Sequence, residues 1–495
     1  MRFLTKLEKS LDVWFLIGVS VIFFLLRLPS LFEPDWYGDE GIYQVLGIGI
    51  KAGRLLYRDI FDNKPPFLYL LYSFVSSDIF MIKLLSLIFG LLSVWVFFYL
   101  SKKLFDNAKA SYISTGLFAV LFGLPLIEGN IANAENFMLL LNLLAGFLIF
   151  KSLDTKSVNH KFKVLACAGV LLGFSFLFKI VAVFDFAAFF AFLFFANYSQ
   201  SLFDIFKIKT LIKEIQNLLP LIIGFITPII LVFIFFIFNH ALSNFLTATL
   251  FSNVGYVGYG NKLIIPQGFL ILKLILLGGF SLFVFYKRKK FGNSFTFVSL
   301  WLAFSLFNAY FSQRPYTHYV LVLLPSFCLM IGLFILNKNF SKISGVLAIA
   351  SFIAVLLSFT FYIKTVLYYP NFISFMLNTQ SVNSYRKFFD QNTPRDYEIA
   401  NYINFYAKKK DNVFIWGNNA QVYYLINKLP PGKYTATYHI TSYKDGISNT
   451  KKGLDTNKPR FIVIMPNVGS YPFSLSDYSP KINIEGSIIY EKFNQ

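Results

Sequence analysis

The stretch 29–72, PSLFEPDWYGDEGIYQVLGIGIKAGRLLYRDIFDNKPPFLYLLY, carries Asp35, Asp39, Glu40, Asp59 and Asp62 in a chain with only 25 acidic residues against 45 Lys and Arg. Acid gathered in this way, with Lys64 just after it, supports two kinds of chemistry. A carboxylate can take a proton, and an ammonium can steady a departing anion. Neighbouring residues on a helix project about 100° apart, so Asp39 and Glu40 share one site only if the backbone is irregular there. Gly38 and Gly41 flank the pair and permit such a path. Both acids are candidate catalytic groups, with Asp39 preferred as the base. A solvated acidic loop end at a membrane surface is the plainer account of the same residues.

DNKPPFLYLLY (62–72) supplies the cation. Proline in the first helical turn forfeits no hydrogen bond, so Pro65 and Pro66 are predicted to open a helix with Lys64 at its lip. Lysine at the positively polarised end of a helix is unfavourable unless an anion joins it, and a phosphate suits that position. A lysine snorkelling to a headgroup is the simpler alternative. Asp62 is expected to orient substrate. In FSQRPYTHYVLVLLP (311–325), Arg314 and His318 can clamp a phosphate, while Tyr319 can stack on a sugar or sit in an aromatic belt. Glu135, in GNIANAENFMLL (129–140), stands at a helix start that favours acid in any case and is expected to orient substrate. Lys179 and Asp185 lie in apolar surroundings and are candidate partners for each other.

The elements that must position these residues are apolar. The chain has 495 residues, 56% hydrophobic, 20% aromatic and 14% charged, whereas soluble domains carry about 25% charged residues. This composition reads as a polytopic membrane protein. A net charge of +20 would suit nucleic acid, but the lysines lie between apolar segments rather than on a basic face with interleaved aromatics, which argues against that partner. Cys167 and Cys328 both fall inside apolar runs, as small buried hydrophobes do. No disulfide framework, zinc spacing or His/carboxylate cluster is readable, so no metal is required by the sequence, although a divalent ion stays open.

Spans of roughly 20 helical residues are needed to cross the hydrocarbon. Segments of that kind lie near 11–31, 80–101, 111–128, 135–152, 163–178 and 180–197, then near 217–239, 266–286, 294–311, 318–337 and 343–367. That makes about eleven. The first follows a basic start and is expected to stay uncleaved, because Arg27, Leu28 and Pro29 follow it instead of a small-residue site. Lys6 and Lys9 precede it, and every even-numbered exit is basic, from Lys102 and Lys103 to Lys287, Arg288, Lys289 and Lys290. Short cytoplasmic loops accumulate such residues. The N-terminus is therefore expected in the cytoplasm, and the large first loop 29–79 and the tail on the outer side of the cytoplasmic membrane.

The tail from 368 to 495 loses the long apolar runs. NVFIWG (412–417) and PRFIVIMP (459–466) read as buried strands, NAQVYYLINK (419–428) as a helix and INIEGSIIYEKF (482–493) as an edge hairpin or strand. A small extracytoplasmic α/β domain behind a mainly α membrane domain over 1–367 is the expected organisation.

Taken together, WYGDEGIY, GRLLYRDIFDNKPPFLYLLY, the Glu135 helix start and RPYTHYVLVLLP resemble the bacterial branch of the family 39 glycosyltransferases. These are similar to protein O-mannosyltransferases and lipid A aminoarabinose transferases, within the GT-C superfamily. VFIWGNNAQVYYL (413–425) resembles the tail domain of the bacterial members. The resemblance implies a multi-pass GT-C fold and an inverting transfer of sugar from polyprenyl phosphate to an extracytoplasmic acceptor, which is a lipid, glycan or protein. It places Asp39 at the family's acidic position, with Glu40 next to it, and Lys64 at a lysine that contacts the donor phosphate. Arg314 and His318 fall at the donor end.

One rival is a transporter or flippase of lipid-linked sugars, which would bury ionisable residues at mid-span. Another is a binding module in the tail, anchored by a passive membrane region.

Overall fold

In hydrocarbon every backbone N–H and C=O must find its partner within the protein, so an apolar run becomes a helix. The computed structural model describes residues 2–198, 208–254, 269–312, 314, 316–336, 353, 355, 357–359 and 361–493. Among the described residues, helices long and apolar enough to cross a membrane are Ser10–Phe32, Ile79–Phe105, Ala134–Ser152, Val158–Phe178, Ile215–Phe238 and Leu270–Phe311. Shorter apolar helices occupy Ile180–Ala196 and Leu324–Leu336. The segment near 111–128 is the helix Ala108–Gly123 followed by a 3-10 turn at Pro125–Ile127. The segment near 343–367 lies largely outside the described residues.

The segments 266–286 and 294–311 are expected as separate spans with a basic connection between them. The helical element Leu270–Phe311 is two helices that meet at a kink at Gly292 (φ 74°, ψ 173°), a conformation glycine takes at little cost.

The chain forms two compact units. The membrane unit comprises Met1–Leu28, Leu85–Ile237 and Phe251–Thr365. Its core is built from aromatic rings: Phe97 stacks on Phe118 with centroids 4.4 Å apart, and Phe189 stacks on Phe297 at 5.3 Å with Trp301 edge-on to Phe189. Such pairs add to the dispersion that holds helices together where lipid removes the hydrophobic driving force.

The loop-and-tail unit comprises Pro29–Leu84, Phe238–Leu250 and Val366–Gln495. Its sheet has the order β1-β2-β4-β3, with β1 (Val413–Trp416) parallel to β2 (Phe461–Ile464). The last two strands form a hairpin, β3 (Tyr478–Ile484) and β4 (Ser487–Lys492), in which β4 pairs antiparallel with β2. VFIW and FIVI are almost wholly buried, as the unbroken apolar runs imply. Pro480 sits beside a register shift in the outer strand β3, where a missing N–H does least harm.

The acidic loop is part of this same unit. Gly38–Lys51 is a regular helix, and Gly38 opens it rather than bending it. Gly41 has a packing role instead: a Cβ there would stand 2.5 Å from the backbone nitrogen of Gln421 and 3.0 Å from its Cα. The tail fixes Gln421 in turn, because its side-chain amide donates to Asp396, as does that of Asn419, and Arg395 closes the other carboxylate oxygen. Gly41→Ala is expected to overpack this contact at a cost of about 1–3 kcal/mol and to lower Tm in detergent. Gly18→Ala, where a Cβ meets nothing within 4 Å, serves as the control, and equal Tm values for the two variants would contradict the packing role.

Candidate active site

The helix Gly38–Lys51 carries both candidate acids in its first turn, and its regular geometry separates them. Glu40 turns inward, where its Oε1 lies 2.8 Å from Lys83 Nζ. Lys83 is itself 1% exposed and lies 3.3 Å from Glu33 Oε2. Glu33 also accepts from Trp36 Nε1 and from the Tyr368 hydroxyl. The buried ammonium therefore faces two carboxylates, each further held by hydrogen bonds or helix geometry, which is what a buried charge requires.

Asp39 turns the other way. Its side chain is 39% exposed, its Oδ2 accepts a 3.0 Å hydrogen bond from the Tyr43 hydroxyl, and Lys64 Nζ lies 3.5 Å from the same oxygen. Burial, and then the carboxylates of Asp39 and Asp62, push the Tyr43 phenol well above its ordinary pKa. Tyr43 consequently stays a donor to Asp39.

Lys64 is positioned from three sides. Its backbone N–H donates to the Tyr69 hydroxyl, its carbonyl accepts from Tyr57, and Pro66 caps the helix Phe67–Phe74 directly after it. Its ammonium lies 3.6 Å from Asp62 Oδ2 and 4.8 Å from the centre of the Tyr43 ring. Asp62 is buried and accepts from the Tyr69 hydroxyl at 2.8 Å and from the Asn63 N–H at 2.8 Å. The structure thus brings Asp39, Lys64 and Asp62 together, with the cation between two acids and the more exposed acid facing outward.

The tail adds a residue to this group. His439 is buried with its Nε2 3.6 Å from Asp62 Oδ1, and among the described residues its Nδ1 has no hydrogen-bond partner. Asp35, the remaining buried acid of the loop, accepts from Gln44 and Tyr397, and burial raises its pKa. Asp59 pairs with exposed Arg58 and accepts from the Leu55 N–H.

In the membrane unit, Glu135 begins the helix Ala134–Ser152 and is paired with Lys179, whose ammonium lies 4.5 Å from the centre of the Tyr319 ring. His318 Nδ1 is 3.0 Å from Glu128 Oε2, and His318 meets Tyr319 edge-on at 4.6 Å. Arg314 is half-buried. Asp185 is not the partner of Lys179. It accepts instead from Asn142 at 3.0 Å and Trp301 at 2.8 Å, because Glu135 already holds the lysine. Among the described residues no group of three or more His, Cys, Asp or Glu is arranged to hold a metal ion.

Lys83, Glu33, Glu128 and His439 of these clusters were missed in the sequence. A lysine at the start of the apolar span Ile79–Phe105, away from the basic pair at its end, is a signal that would have found Lys83. Glu33 stands inside the acidic stretch and was passed over there. His439 has no local signal, since only the fold brings it to Asp62.

Residues 64–213 match the family model described as dolichyl-phosphate-mannose-protein mannosyltransferase. The crystal structure of ArnT from Cupriavidus metallidurans bound to undecaprenyl phosphate superposes with a TM-score of 0.59 at 12% identity, covering 97% of this chain and 98% of that one. The chain has a GT-C fold. The archaeal oligosaccharyltransferase AglB from Archaeoglobus fulgidus, in complex with an inhibitory peptide and a dolichol-phosphate, gives 0.49 at 12% identity over 92% of this chain and 70% of that one. No curated protein sequence matches the chain. The expected fold class, a helical multi-span GT-C fold with a small sheet near the C-terminus, is therefore the observed one.

The buried histidine makes the unit acid-sensitive. Burial lowers the His439 pKa from 6.5 to about 4, against the pull of Asp62. Between those two values the unfolded chain binds a proton that the folded chain does not, so this term costs stability as pH falls through that window. In His439→Gln, the fall in Tm between pH 6.5 and pH 4 is expected to be shallower than in the wild type. Parallel falls would contradict the assignment.

Proposed function

We propose that the chain is a membrane glycosyltransferase that moves one sugar from polyprenyl phosphate to an acceptor on the outer side of the cytoplasmic membrane, inverting the anomeric carbon. The observation that carries this reading is the half-exposed Asp39 with the Lys64 ammonium 3.5 Å from its Oδ2. A base for an incoming hydroxyl and a cation for an outgoing phosphate stand at one place. The matched family model and the GT-C fold support the same class of reaction.

In the proposed step the acceptor oxygen forms a bond to the anomeric carbon while its proton passes to Asp39. The bond from that carbon to the phosphate oxygen breaks, and the electron pair leaves with polyprenyl phosphate. A phosphate monoester anion needs charge stabilisation more than protonation, and Lys64 supplies it. Glu40, held by Lys83, fixes the helix that presents Asp39, and Asp62 orients Lys64.

In the membrane unit, Arg314 and His318 are proposed as donor-phosphate contacts, with Tyr319 and the Glu135–Lys179 pair orienting substrate. The acceptor is a cell-envelope lipid, glycan or protein.

Loss of a positioned general base typically costs about 10²–10⁴ in rate. Asp39→Asn is expected to lose turnover on that scale, measured as transfer of labelled sugar from polyprenyl phosphate, with Tm and membrane insertion retained. Near-normal turnover would remove Asp39 as the base, and label translocation without a new glycosidic bond would favour the flippase.

A further inference from the structure

A second feature of the loop-and-tail unit lies next to Asp62 in sequence and is not used by the proposed reaction. A cleft of about 170 Å³ is lined by Phe61, by the short helix Leu242–Leu246 with the π-turn that follows it, and by Lys433, Tyr434, Tyr443 and Asp445 of the tail. That is the scale of one small ring and too little for a chain.

The chemistry of the walls narrows the occupant. One wall is aromatic: Tyr434 and Tyr443 stack at 6.0 Å, and Phe61 stands edge-on to Tyr443 at 4.6 Å. The lining also includes Ser243, Asn244 and Thr247, whose side chains offer both donors and acceptors. Its charged members are Lys433 and Asp445, and these lie 3.6 Å apart and cancel. Asp445 accepts in addition from the Tyr434 hydroxyl. A cavity with no net charge does not select phosphate or a phospholipid headgroup. Aromatic rings together with mixed hydrogen-bonding groups suit a neutral polyhydroxylated ring. π-turns also occur frequently at functional sites, and this one carries Thr247 into the lining.

The place of the cavity fits the same occupant. Phe61 precedes Asp62, its N–H donates to the Lys433 carbonyl, and His439 meets it edge-on at 5.4 Å while facing Asp62 on its other side. The chain therefore passes directly from the cavity lining at Phe61 to Asp62 of the Asp39–Lys64 group.

We infer that this cavity binds one neutral sugar ring, from the acceptor or from the donor, beside the transfer site; the inference rests on the glycosyltransferase reading for its biological meaning but not for its test. The test is saturation-transfer NMR on the full chain in nanodiscs, with methyl glycosides of mannose, glucose, galactose and N-acetylglucosamine as probes. At least one glycoside is expected to bind wild type and Asp39→Asn alike, and to bind Asn244→Ala and Asp445→Asn about tenfold more weakly, as the loss of one or two hydrogen bonds implies.

Displacement of the bound glycoside by polyprenyl-phosphate mannose but not by polyprenyl phosphate would assign the ring to the donor, and displacement by neither would assign it to the acceptor. Absence of binding to folded wild type, equal binding by both cavity variants, or displacement by inorganic phosphate would overturn the inference. None of those results bears on turnover in Asp39→Asn, so the two readings fail separately.

Discussion

Lys83 holds Glu33 and Glu40 at 3.3 and 2.8 Å in a place where all three are buried. Leaving such a group with an uncompensated charge costs about 3–5 kcal/mol, so the arrangement allows little rotation of the helix Gly38–Lys51. Because consecutive helical residues project about 100° apart, fixing Glu40 inward fixes Asp39 outward. The orientation of the reactive acid is thus set by its neighbour's ion pair, not by its own contacts alone. Lys64 obeys a similar rule, since its backbone is tied by Tyr57 and Tyr69 while its ammonium stays near two acids.

The tail makes the second contribution. Asp396 gathers Arg395, Asn419 and Gln421, and Gln421 then packs against Gly41 within the unit. Tyr397 reaches Asp35, Tyr368 reaches Glu33 and His439 reaches Asp62. Three of the loop's acids thus have partners in the tail. A tail deletion would strip partners from buried carboxylates, so it would disturb the loop as well as any acceptor binding. Burial also raises the phenols of Tyr43, Tyr57 and Tyr69 well above their ordinary pKa, which keeps them as donors beside these acids.

Much of this was legible in the sequence because it rests on local rules. Apolar runs gave the spans, VFIW and FIVI gave the buried strands, and the Pro-Pro after Lys64 gave a helix start at the right place. The separation of Asp39 from Glu40 also followed from helical geometry, although which of them turned inward depended on Lys83 at a distance in the chain. What stayed hidden was long-range. Gly41 was read as a device for bending the backbone and proves to admit Gln421. Asp185 finds Asn142 and Trp301 instead of Lys179, and no pattern in the sequence brings those three side chains together.

The central claim is a division of labour between Asp39 and Lys64, acid for the acceptor and cation for the phosphate. Affinity for the product polyprenyl phosphate tests it most directly, measured in nanodiscs for wild type, Asp39→Asn and Lys64→Met. The account predicts that Lys64→Met binds the lipid phosphate about tenfold or more weakly, as loss of a charge-assisted contact implies, and that Asp39→Asn binds it at least as tightly as wild type because a nearby negative charge is gone. Unchanged binding in Lys64→Met, or weakened binding in Asp39→Asn alone, would contradict it.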